Sequence, residues 1–435
     1  MDDWWIAALR SVFAGRRVVL AGASAAAWNE HLPVLRAAGV DELLVVANAW
    51  GAGSRPDAET VVVEAPSGMT MMEQIHYDNA FLAEPPAEVL AALDGFDPGD
   101  DALVVGTFLN TTPLLAGRPF VSYRRPEWVA LEDKVVVDAF WDRAGIARQP
   151  SAVVPVDDAA GASTSIDRGD GTVWAADARD GFHGGASQTY WVTDDDSCEL
   201  ALSRLRAVCE RVRIMPFLEG IPCSIHGIVL PDGVAVLRPV EMVTLRRGNG
   251  FVYAGCATYW DPPDAVRDQM RSIARTAGTR LAAEVDFRGT FTIDGVTAAD
   301  GFWPTELNPR FGAGINAIAR AGGLPILLVN DLVVGGHALG RTAEEIQAEV
   351  VDRADAERGG GTWMGGLTHR ADAGRRDWHG ARVTVGAGFV RCIHDPATTP
   401  VGTSTGRRAA DFWAFADREL GTAVGPLTPA LDVHA

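Results

Sequence analysis

The residues best suited to chemistry are Asp294 and, twelve positions later, the segment E-L-N-P-R that runs from Glu306 to Arg310. Alternation along a strand places Glu306, Asn308 and Arg310 on one face, and a hairpin partner brings Asp294 beside them. Two carboxylates and an amide oxygen are suitable ligands for Mg²⁺, which prefers to share its coordination with phosphate oxygens. Arg310 could then neutralise a transferred phosphate. Taken alone, E-x-N-x-R is also typical of a solvated strand.

The stretch L-E-D-K-V-V-V-D contains Lys134, the single lysine among 435 residues, so that 37 of the 38 basic residues are arginine. The guanidinium of arginine is a planar fork, whereas the ammonium of lysine is a compact donor on a flexible stem. A position that keeps lysine in such an arginine-rich chain is expected to need a point charge, although chance survival would give the same pattern.

Two further segments have the composition of nucleotide-binding elements. The segment D-A-R-D-G-F-H-G-G, residues 177–185, follows a strand, and its glycines would let backbone N–H groups close over phosphates. An ordinary surface hairpin loop is the alternative. The segment M-P-F-L-E-G, residues 215–220, ends a strand at a glycine turn. Such an edge can recognise adenine through main-chain groups while apolar side chains sandwich the ring.

Five further polar, charged or glycine residues follow these motifs along the sequence. Glu241, Arg246 and Arg247 are candidates for lining a carboxylate or triphosphate pocket, and an exposed basic pair is the alternative for the two arginines. Gly312 and Gly314, directly after Arg310, would let the backbone approach an acyl phosphate, or would simply turn the chain into a helix.

The histidines and cysteines are scattered. The nine histidines include no H-E-x-x-H pair, His226 in an alternating strand is expected to be a satisfied core or pocket-wall residue, and His183 in the glycine-rich loop is a candidate for contact with phosphate. The five cysteines show no C-x-x-C spacing, so reduced and mostly buried thiols are expected.

The composition is that of a globular protein, with 47% hydrophobic and 22% charged residues. No run approaches the roughly 18 apolar residues of a membrane helix, and the N-terminus lacks a basic region followed by a long apolar stretch. We therefore expect a cytoplasmic protein. A net charge of -19 argues against a nucleic-acid partner, because a phosphate-binding face would oppose the field of the whole chain.

The elements that must position these residues fall into two regions. A strand from 16 to 24, a helix from 30 to 39 and a strand from 41 to 47 follow the order of a parallel α/β sheet, which a strand at 101–106 extends. An α+β region follows, with a hairpin turn at 231–233. Its predicted helices cover 132–144, 264–285 and 342–353, and its strands lie at 151–155, 172–176, 213–218, 223–230, 233–238, 287–294, 302–310 and near 383 and 390. Residues 359–366 are a glycine-rich stretch.

In this order, the parts resemble the ATP-grasp superfamily over roughly residues 125–330. The resemblance rests on the lone Lys134, the glycine-rich loop 181–185, the hinge 215–220, G-T-F-T-I-D ending at Asp294, and E-L-N-P-R. The phrases V-W-A-A-D-A-R-D-G and E-G-I-P-C-S-I-H-G are similar to pheganomycin-type peptide ligases. The resemblance implies a Rossmann-like pre-ATP-grasp domain over 1–125 and two α+β ATP-grasp subdomains over 126–212 and 213–435.

The resemblance also implies roles for individual residues. Lys134 and Arg310 are the expected catalytic cations, and Asp294, Glu306 and Asn308 are the expected metal ligands. The expected ATP-binding residues are Lys134, Arg179, Gly181, His183, Gly184, Gly185, Met215, Pro216, Phe217, Leu218 and Glu219. The superfamily usually carries a second lysine before the glycine-rich loop, where this chain has Ala176 and Asp177, and Arg179 is the candidate replacement.

The function expected from these features is that of an ATP- and Mg²⁺-dependent carboxylate–amine ligase. It would join an amino acid, through an acyl phosphate, to a second amino acid or a peptide, with release of ADP and phosphate, in natural-product biosynthesis. An ATP-grasp enzyme with another nucleophile (ammonia, a hydrazine or a thiol) and a nucleotide-binding protein without turnover are the alternatives. Small-molecule substrates are the expected partners, and a homodimer is possible.

Overall fold

The N-terminal part of the chain forms a parallel sheet with helices on both faces. The computed structural model describes residues 3–434 except 23, 67, 70, 180–183, 185, 322 and 387. The sheet order is β3-β2-β1-β4, and alternate side chains of β1 and β2 enter two separate apolar clusters, as expected of a parallel sheet covered on both sides. The elements are Trp4–Phe13 (α1), Arg17–Ala21 (β1), Leu32–Ala37 (α2), Glu42–Ala47 (β2), Glu59–Val62 (β3), Met71–Ala83 (α3), Ala87–Phe96 (α4) and Leu103–Val105 (β4).

A connecting region leads from this sheet to the second half of the chain. Its elements are Leu114–Leu115 (β5), Arg118–Pro119 (β6), Pro126–Val129 (α5), a 3₁₀ turn Ala130–Glu132, and Val137–Ala144 (α6). The helix predicted from residue 132 therefore begins five residues later, and Lys134 lies in the turn before it. The Asp133 carboxylate accepts a hydrogen bond from Val135 N at 3.1 Å, and this local bond favours a turn over a helix. The helix ends at Gly145, whose φ of 67° is left-handed.

The central strands form a small antiparallel layer. Strand β10 pairs with β7 and β8, and β8 pairs with β9. One face packs Trp174, Val212 and Ile214 on two helices, which leaves Val173, Ala175 and Arg213 on the other face. The elements are Ala152–Pro155 (β7), Ala159–Ile166 (α7), Thr172–Ala176 (β8), Thr189–Val192 (β9), Asp195–Leu205 (α8) and Arg211–Pro216 (β10). The predicted boundary between 212 and 213 falls within β10, and the division into three units stays a proposal.

The largest sheet has the order β16-β15-β11-β13-β14, with all neighbours antiparallel. In the strands Ile221–Leu230 and Gly289–Ala298, odd-numbered side chains such as Cys223, Ile225 and Ile293 pack under the helix Asp264–Val285, so the even-numbered ones at the centre of these strands face the opposite way. The elements are Ile221–Leu230 (β11), Gly233–Val236 (β12), Val240–Arg247 (β13), Gly250–Ala257 (β14), Asp264–Val285 (α9), Gly289–Ala298 (β15), Gly301–Asn308 (β16), Ala313–Ala321 (α10) and Ile326–Val334 (α11).

The C-terminal part extends this sheet from β14 through β17, β20, β19 and β18. Thr342 and Glu345 form a capping box at the start of the predicted acidic helix. The elements are Ala343–Ala356 (α12), Gly360–Gly365 (β17), Gly374–Trp378 (β18), Ala381–Gly386 (β19), Phe389–Ile393 (β20), Gly406–Phe415 (α13) and a π-helical turn Ala416–Leu420. The α/β and α+β fold class is thus confirmed.

The five cysteines are free, and only Cys198 is not fully buried, as predicted. No helix in the described part of the chain has the length and apolarity needed to cross a membrane.

Candidate active site

A cavity of about 430 Å³ lies between the central strands and the large sheet. Its walls come from β8 and β10 on one side and from β11, β13, β14, β15 and β16 on the other. The N-terminal unit closes it with Ile75, Phe108 and Leu109. The N-terminal unit, the central strands and the large sheet therefore all contribute residues to the cavity wall.

The proposed metal ligands meet on one wall of this cavity. Asp294 on β15 lies opposite Glu306 on β16, and Thr292 lies opposite Asn308. The side-chain amide of Asn308 donates to Asp294 Oδ2 at 2.9 Å, and the Ser224 hydroxyl donates to Asp294 Oδ1 at 2.5 Å. The structure brings together all three residues that the sequence singled out, and it adds Ser224.

These residues have the donor chemistry that Mg²⁺ requires. Burial, and then repulsion from the Glu306 carboxylate, raise the pKa of Asp294 to about 7. A divalent cation would remove that repulsion. Within the described ranges, no group of three acidic, histidine or cysteine side chains has a geometry that could hold a metal ion, and this wall offers two carboxylates and an amide. That set fits Mg²⁺, which takes its other ligands from water and phosphate.

The two proposed catalytic cations face the same row of carboxylates. Lys134 Nζ lies 3.3 Å from Glu306 Oε2, with its side chain only 13% exposed. Arg310 Nη2 donates to Asn308 Oδ1 at 3.1 Å. Two cationic side chains thus lie directly beside the carboxylate and amide oxygens of this wall.

Arg310 is oriented by two buried ion pairs that share Glu132. These contacts were not predicted from the sequence. Arg310 Nε donates to Glu132 Oε2 at 3.1 Å, and the other oxygen of Glu132 accepts a hydrogen bond from Arg124. Glu132 is 4% exposed and Arg124 is 6% exposed. An acidic residue two positions before the lone lysine was the available sequence signal. Because both partners of Glu132 are cations, its carboxylate fixes the direction of the Arg310 fork.

The hinge residues Met215, Pro216, Phe217, Leu218 and Glu219 all line the cavity. The chain turns at Gly220, where φ is 153° and a Cβ atom would lie 2.2 Å from the carbonyl oxygen of residue 297. Only glycine fits such a turn.

The hinge carries an aromatic wall with a cation over it. The rings of Phe217 and Trp191 stack with centroids 4.3 Å apart. The guanidinium of Arg246 lies over both rings and pairs with Glu219 at 2.9 Å. Arg246 therefore belongs to the hinge end of the cavity rather than to the metal end.

The glycine-rich loop is only partly described. Gly184 lines the cavity, whereas Gly181, His183 and Gly185 lie outside the described residues. The Arg179 guanidinium donates to the carbonyl oxygen of Ala207 at 3.1 Å, and Arg179 is not among the described residues that line the cavity.

A different arginine, on strand β10, reaches the cavity wall. Arg213 on β10 lies opposite Ala175 on β8, is 3% exposed and lines the cavity. Its fork pairs with both oxygens of Asp138, at 3.0 and 2.6 Å, and donates to the carbonyl oxygen of Thr305 at 3.0 Å. An arginine inside the apolar alternation V-R-I-M-P-F was the sequence signal for it.

The remaining candidates divide between the cavity and the surrounding framework. Gly312 and Gly314 line the cavity. Glu241 is 2% exposed and accepts hydrogen bonds from the backbone N–H groups of Thr405 and Gly406, so it caps helix α13. Arg247 contacts the carbonyl oxygen of Val424 at 3.4 Å. Glu241 and Arg247 do not belong to the described lining of the cavity, which places them in the framework instead of a substrate pocket.

Comparison with known proteins identifies the fold. No protein-family model matches the chain, and no curated protein sequence matches it. A biotin carboxylase from Campylobacter jejuni, solved as a β-γ-ATP complex, has a TM-score of 0.59 at 13% identity, with 95% of this chain and 92% of that chain covered.

Two further solved structures agree with this result. The ADP complex of an N5-carboxyaminoimidazole ribonucleotide synthetase has a TM-score of 0.54 at 12% identity, over 94% of this chain and 98% of that one. The biotin carboxylase domain dimer of the Hydrogenobacter thermophilus 2-oxoglutarate carboxylase, with MgADP, ADP and bicarbonate, has a TM-score of 0.57 at 14% identity, over 96% and 91%. The chain therefore has the ATP-grasp fold that its sequence predicted.

Proposed function

We propose that the protein is an ATP-dependent carboxylate–amine ligase that forms an amide bond through an acyl phosphate, with release of ADP and phosphate. The observation that carries this proposal is a single cavity in which Asp294, Glu306 and Asn308 face Lys134 and Arg310. Carboxylates that can hold a metal, next to cations that can hold phosphate, are the arrangement that phosphoryl transfer requires.

The nucleotide would lie along the large sheet, with its base at the hinge. The apolar hinge side chains and the stacked Phe217 ring suit an adenine, whereas the charged row at Asp294 suits the phosphates. Asp294, Glu306 and Asn308 would hold Mg²⁺, which supplies charge neutralisation to the phosphates. Structural neighbours solved with ADP or with MgADP support this assignment.

The protein's own side chains have a clear task in such a reaction. A substrate carboxylate that attacks ATP brings two anions together, and Lys134 and Arg310 lower that repulsion. Glu132 keeps the Arg310 fork aimed at Asn308. Gly184 and the glycine-rich loop around it would cover the phosphates and keep water from the acyl phosphate.

We propose an amino acid as the carboxylate substrate and a second amino acid or a peptide as the amine. Ile75, Phe108 and Leu109 close the cavity with apolar surface, which favours a substrate with an apolar side chain. Similarity to pheganomycin-type ligases supports a place in natural-product biosynthesis, and a dimeric neighbour is consistent with a homodimer.

A screen for ADP release tests this function. Pairs of amino acids are incubated with Mg-ATP, ADP and phosphate are measured, and products are identified by mass. We expect ADP to form only when both substrates are present. The mass of the product should equal the sum of the two substrate masses less one water. Formation of AMP and pyrophosphate would exclude the acyl phosphate. Tight ATP binding without ADP from any pair would favour a non-catalytic nucleotide-binding protein, and activity with ammonia, a hydrazine or a thiol would reassign the nucleophile.

We predict that Arg213, and not Arg179, supplies the cation beside the glycine-rich loop. The change Arg213→Met should weaken Mg-ADP binding about tenfold, because a buried charge next to the phosphates is lost. Arg179→Ala, the control, should change the dissociation constant less than twofold. Since residue 175 lies opposite residue 213, the double variant R213M/A175K should regain most of the affinity. Isothermal titration calorimetry measures all three, and a tenfold loss in Arg179→Ala alone would reverse the assignment.

A further inference from the structure

His226 is a buried histidine with one ring nitrogen that lacks a partner. The side chain is 0% exposed, and its Nδ1 lies 3.0 Å from Thr292 Oγ1. Its Nε2 has no hydrogen-bond partner within the described ranges of the chain. Buried polar atoms are nearly always hydrogen-bonded, so an exception on a cavity wall needs an explanation. The strand pattern predicts a satisfied core or pocket-wall histidine, whereas the Nε2 atom has no partner among the described residues, so its hydrogen bonding is incomplete.

The register of the sheet fixes the position of His226 relative to the proposed metal ligand Asp294. Along β11 and β15, three inward-facing pairs follow one another from the hinge: Pro222 with Val296, Ser224 with Asp294, and His226 with Thr292. Two residues of a strand span about 7 Å. If the base lies at the hinge and the phosphates lie at Asp294, then the His226 row is one step further on, where the group that receives the γ-phosphate must lie.

Two glycines cover this row. A Cβ atom on Gly314 would lie 2.2 Å from His226 Nε2, and a Cβ atom on Gly312 would lie 2.7 Å from Thr292 Oγ1. The segment after Arg310 can therefore rest directly on His226 and Thr292 only because both positions lack side chains. Because Nε2 is buried beneath Gly314, a substrate group reaches it only when this segment moves off the ring.

The protonation state of the ring decides whether His226 can act as a base or as a hydrogen-bond donor. Burial lowers the pKa of His226 to about 3, so the imidazole is neutral. A ring that resists protonation is a poor base for an ammonium group. It can still donate a hydrogen bond from Nε2 while Nδ1 accepts one from the Thr292 hydroxyl.

We propose that His226 Nε2–H binds the carboxylate of the substrate that is phosphorylated, an inference that rests on the proposed ligase function. One carboxylate oxygen accepts this hydrogen bond, and the other attacks the γ-phosphorus. The new O–P bond forms as the bond from phosphorus to the ADP oxygen breaks, and ADP leaves with the electron pair. The amine then attacks the carbonyl carbon, phosphate leaves with the C–O electron pair, and the amine proton passes to phosphate or water.

Kinetics of two variants test the contact. His226→Leu should raise the KM for the carboxylate substrate tenfold or more and change the Kd for Mg-ADP less than twofold, because the proposed nucleotide position ends at Asp294, one inward-facing pair before His226. His226→Gln, which keeps an N–H donor, should recover part of the loss. The matched control is His394→Phe: His394 is also buried, neither of its ring nitrogens has a partner among the described residues, and it is not part of the described cavity lining. An unchanged carboxylate KM in folded His226→Leu would overturn the proposal.

A binding measurement on the wild-type protein keeps this test separate from that of the ligase reaction. Protein labelled with ¹⁵N-histidine is saturated with Mg-ADP, and the proteinogenic amino acids are added one at a time. The His226 Nε2 signal, assigned by its loss in His226→Gln, should shift with at least one amino acid and not with Mg-ADP alone. A shift without ADP release in any substrate pair would keep the carboxylate site and reject the ligase. Absence of a shift with an amino acid that supports ADP release would reject the site and keep the ligase.

Discussion

Replacing Glu306 with glutamine is expected to lower kcat/KM for ATP by about 100-fold or more while the unliganded protein stays as stable as the wild type or becomes more stable. Glu306 supplies one of the two carboxylates among the proposed metal ligands. Its charge contributes to raising the pKa of Asp294 to about 7. Removing that charge takes a ligand from Mg²⁺ and relieves the repulsion. Initial rates of ADP release against Mg-ATP, and thermal unfolding without nucleotide, measure the two effects.

The sign of the stability effect follows from linkage. The folded-state pKa of Asp294 lies above its ordinary value of 3.8, so the unliganded wild type loses stability from this group as the pH rises from about 4 to about 7. That loss should be smaller in Glu306→Gln. The control is Asp300→Asn on the same hairpin, which keeps the oxygen that accepts the Trp303 indole N–H. The account is wrong if Glu306→Gln keeps a third or more of wild-type kcat/KM.

Removing the charge of Lys134 is expected to have an effect of similar size. Lys134→Met should lower kcat/KM for ATP by about 100-fold, because the ammonium that lies 3.3 Å from Glu306 is lost from a largely buried position. Lys134→Arg should still lose about tenfold, since a planar fork does not fit where a compact donor lies. Steady-state kinetics and Mg-ADP titration measure both variants.

A reverse substitution at an exposed ion pair is the control for Lys134→Arg. Arg143 pairs with Glu284 at 3.0 Å on the surface, and Arg143→Lys should leave kinetics and unfolding temperature unchanged, as exposed pairs contribute little. Near-normal kcat/KM in Lys134→Arg would mean that the lone lysine is kept by chance and that its shape is irrelevant.

The proximity of the proposed metal ligands could be predicted because these residues are close in sequence. Strand alternation fixes which side chains of E-L-N-P-R share a face, and a short hairpin sets Asp294 against Glu306. The long helix from 264 to 285 was also predictable, because its periodicity is sustained over 22 residues.

Contacts between distant segments could not be predicted from one sequence. Glu132 meets Arg310 across 178 positions, and Glu241 caps helix α13 from more than 160 positions away. The arginine inside V-R-I-M-P-F marks Arg213 as a charge in an apolar strand, but the sequence does not show which cavity it lines, because the partner strand was unknown. The strand β14 was missed because G-N-G-F-V-Y-A-G has glycines at both ends and reads as a loop.

Local chemistry misled the prediction at two places. The run V-V-V after Lys134 delays helix α6 to Val137, since β-branched residues are weak helix formers. His226 lies in a regular strand pattern, and only the structure reveals that its Nε2 has no partner in the described part of the chain.

The most direct test of the ligase proposal follows oxygen from the carboxylate. A carboxylate substrate labelled with ¹⁸O in both positions is incubated with Mg-ATP and the amine, and the released phosphate is examined by mass spectrometry. An acyl phosphate requires that one ¹⁸O per turnover appears in phosphate and the other stays in the amide. Phosphate without ¹⁸O, alongside amide formation, would contradict the account.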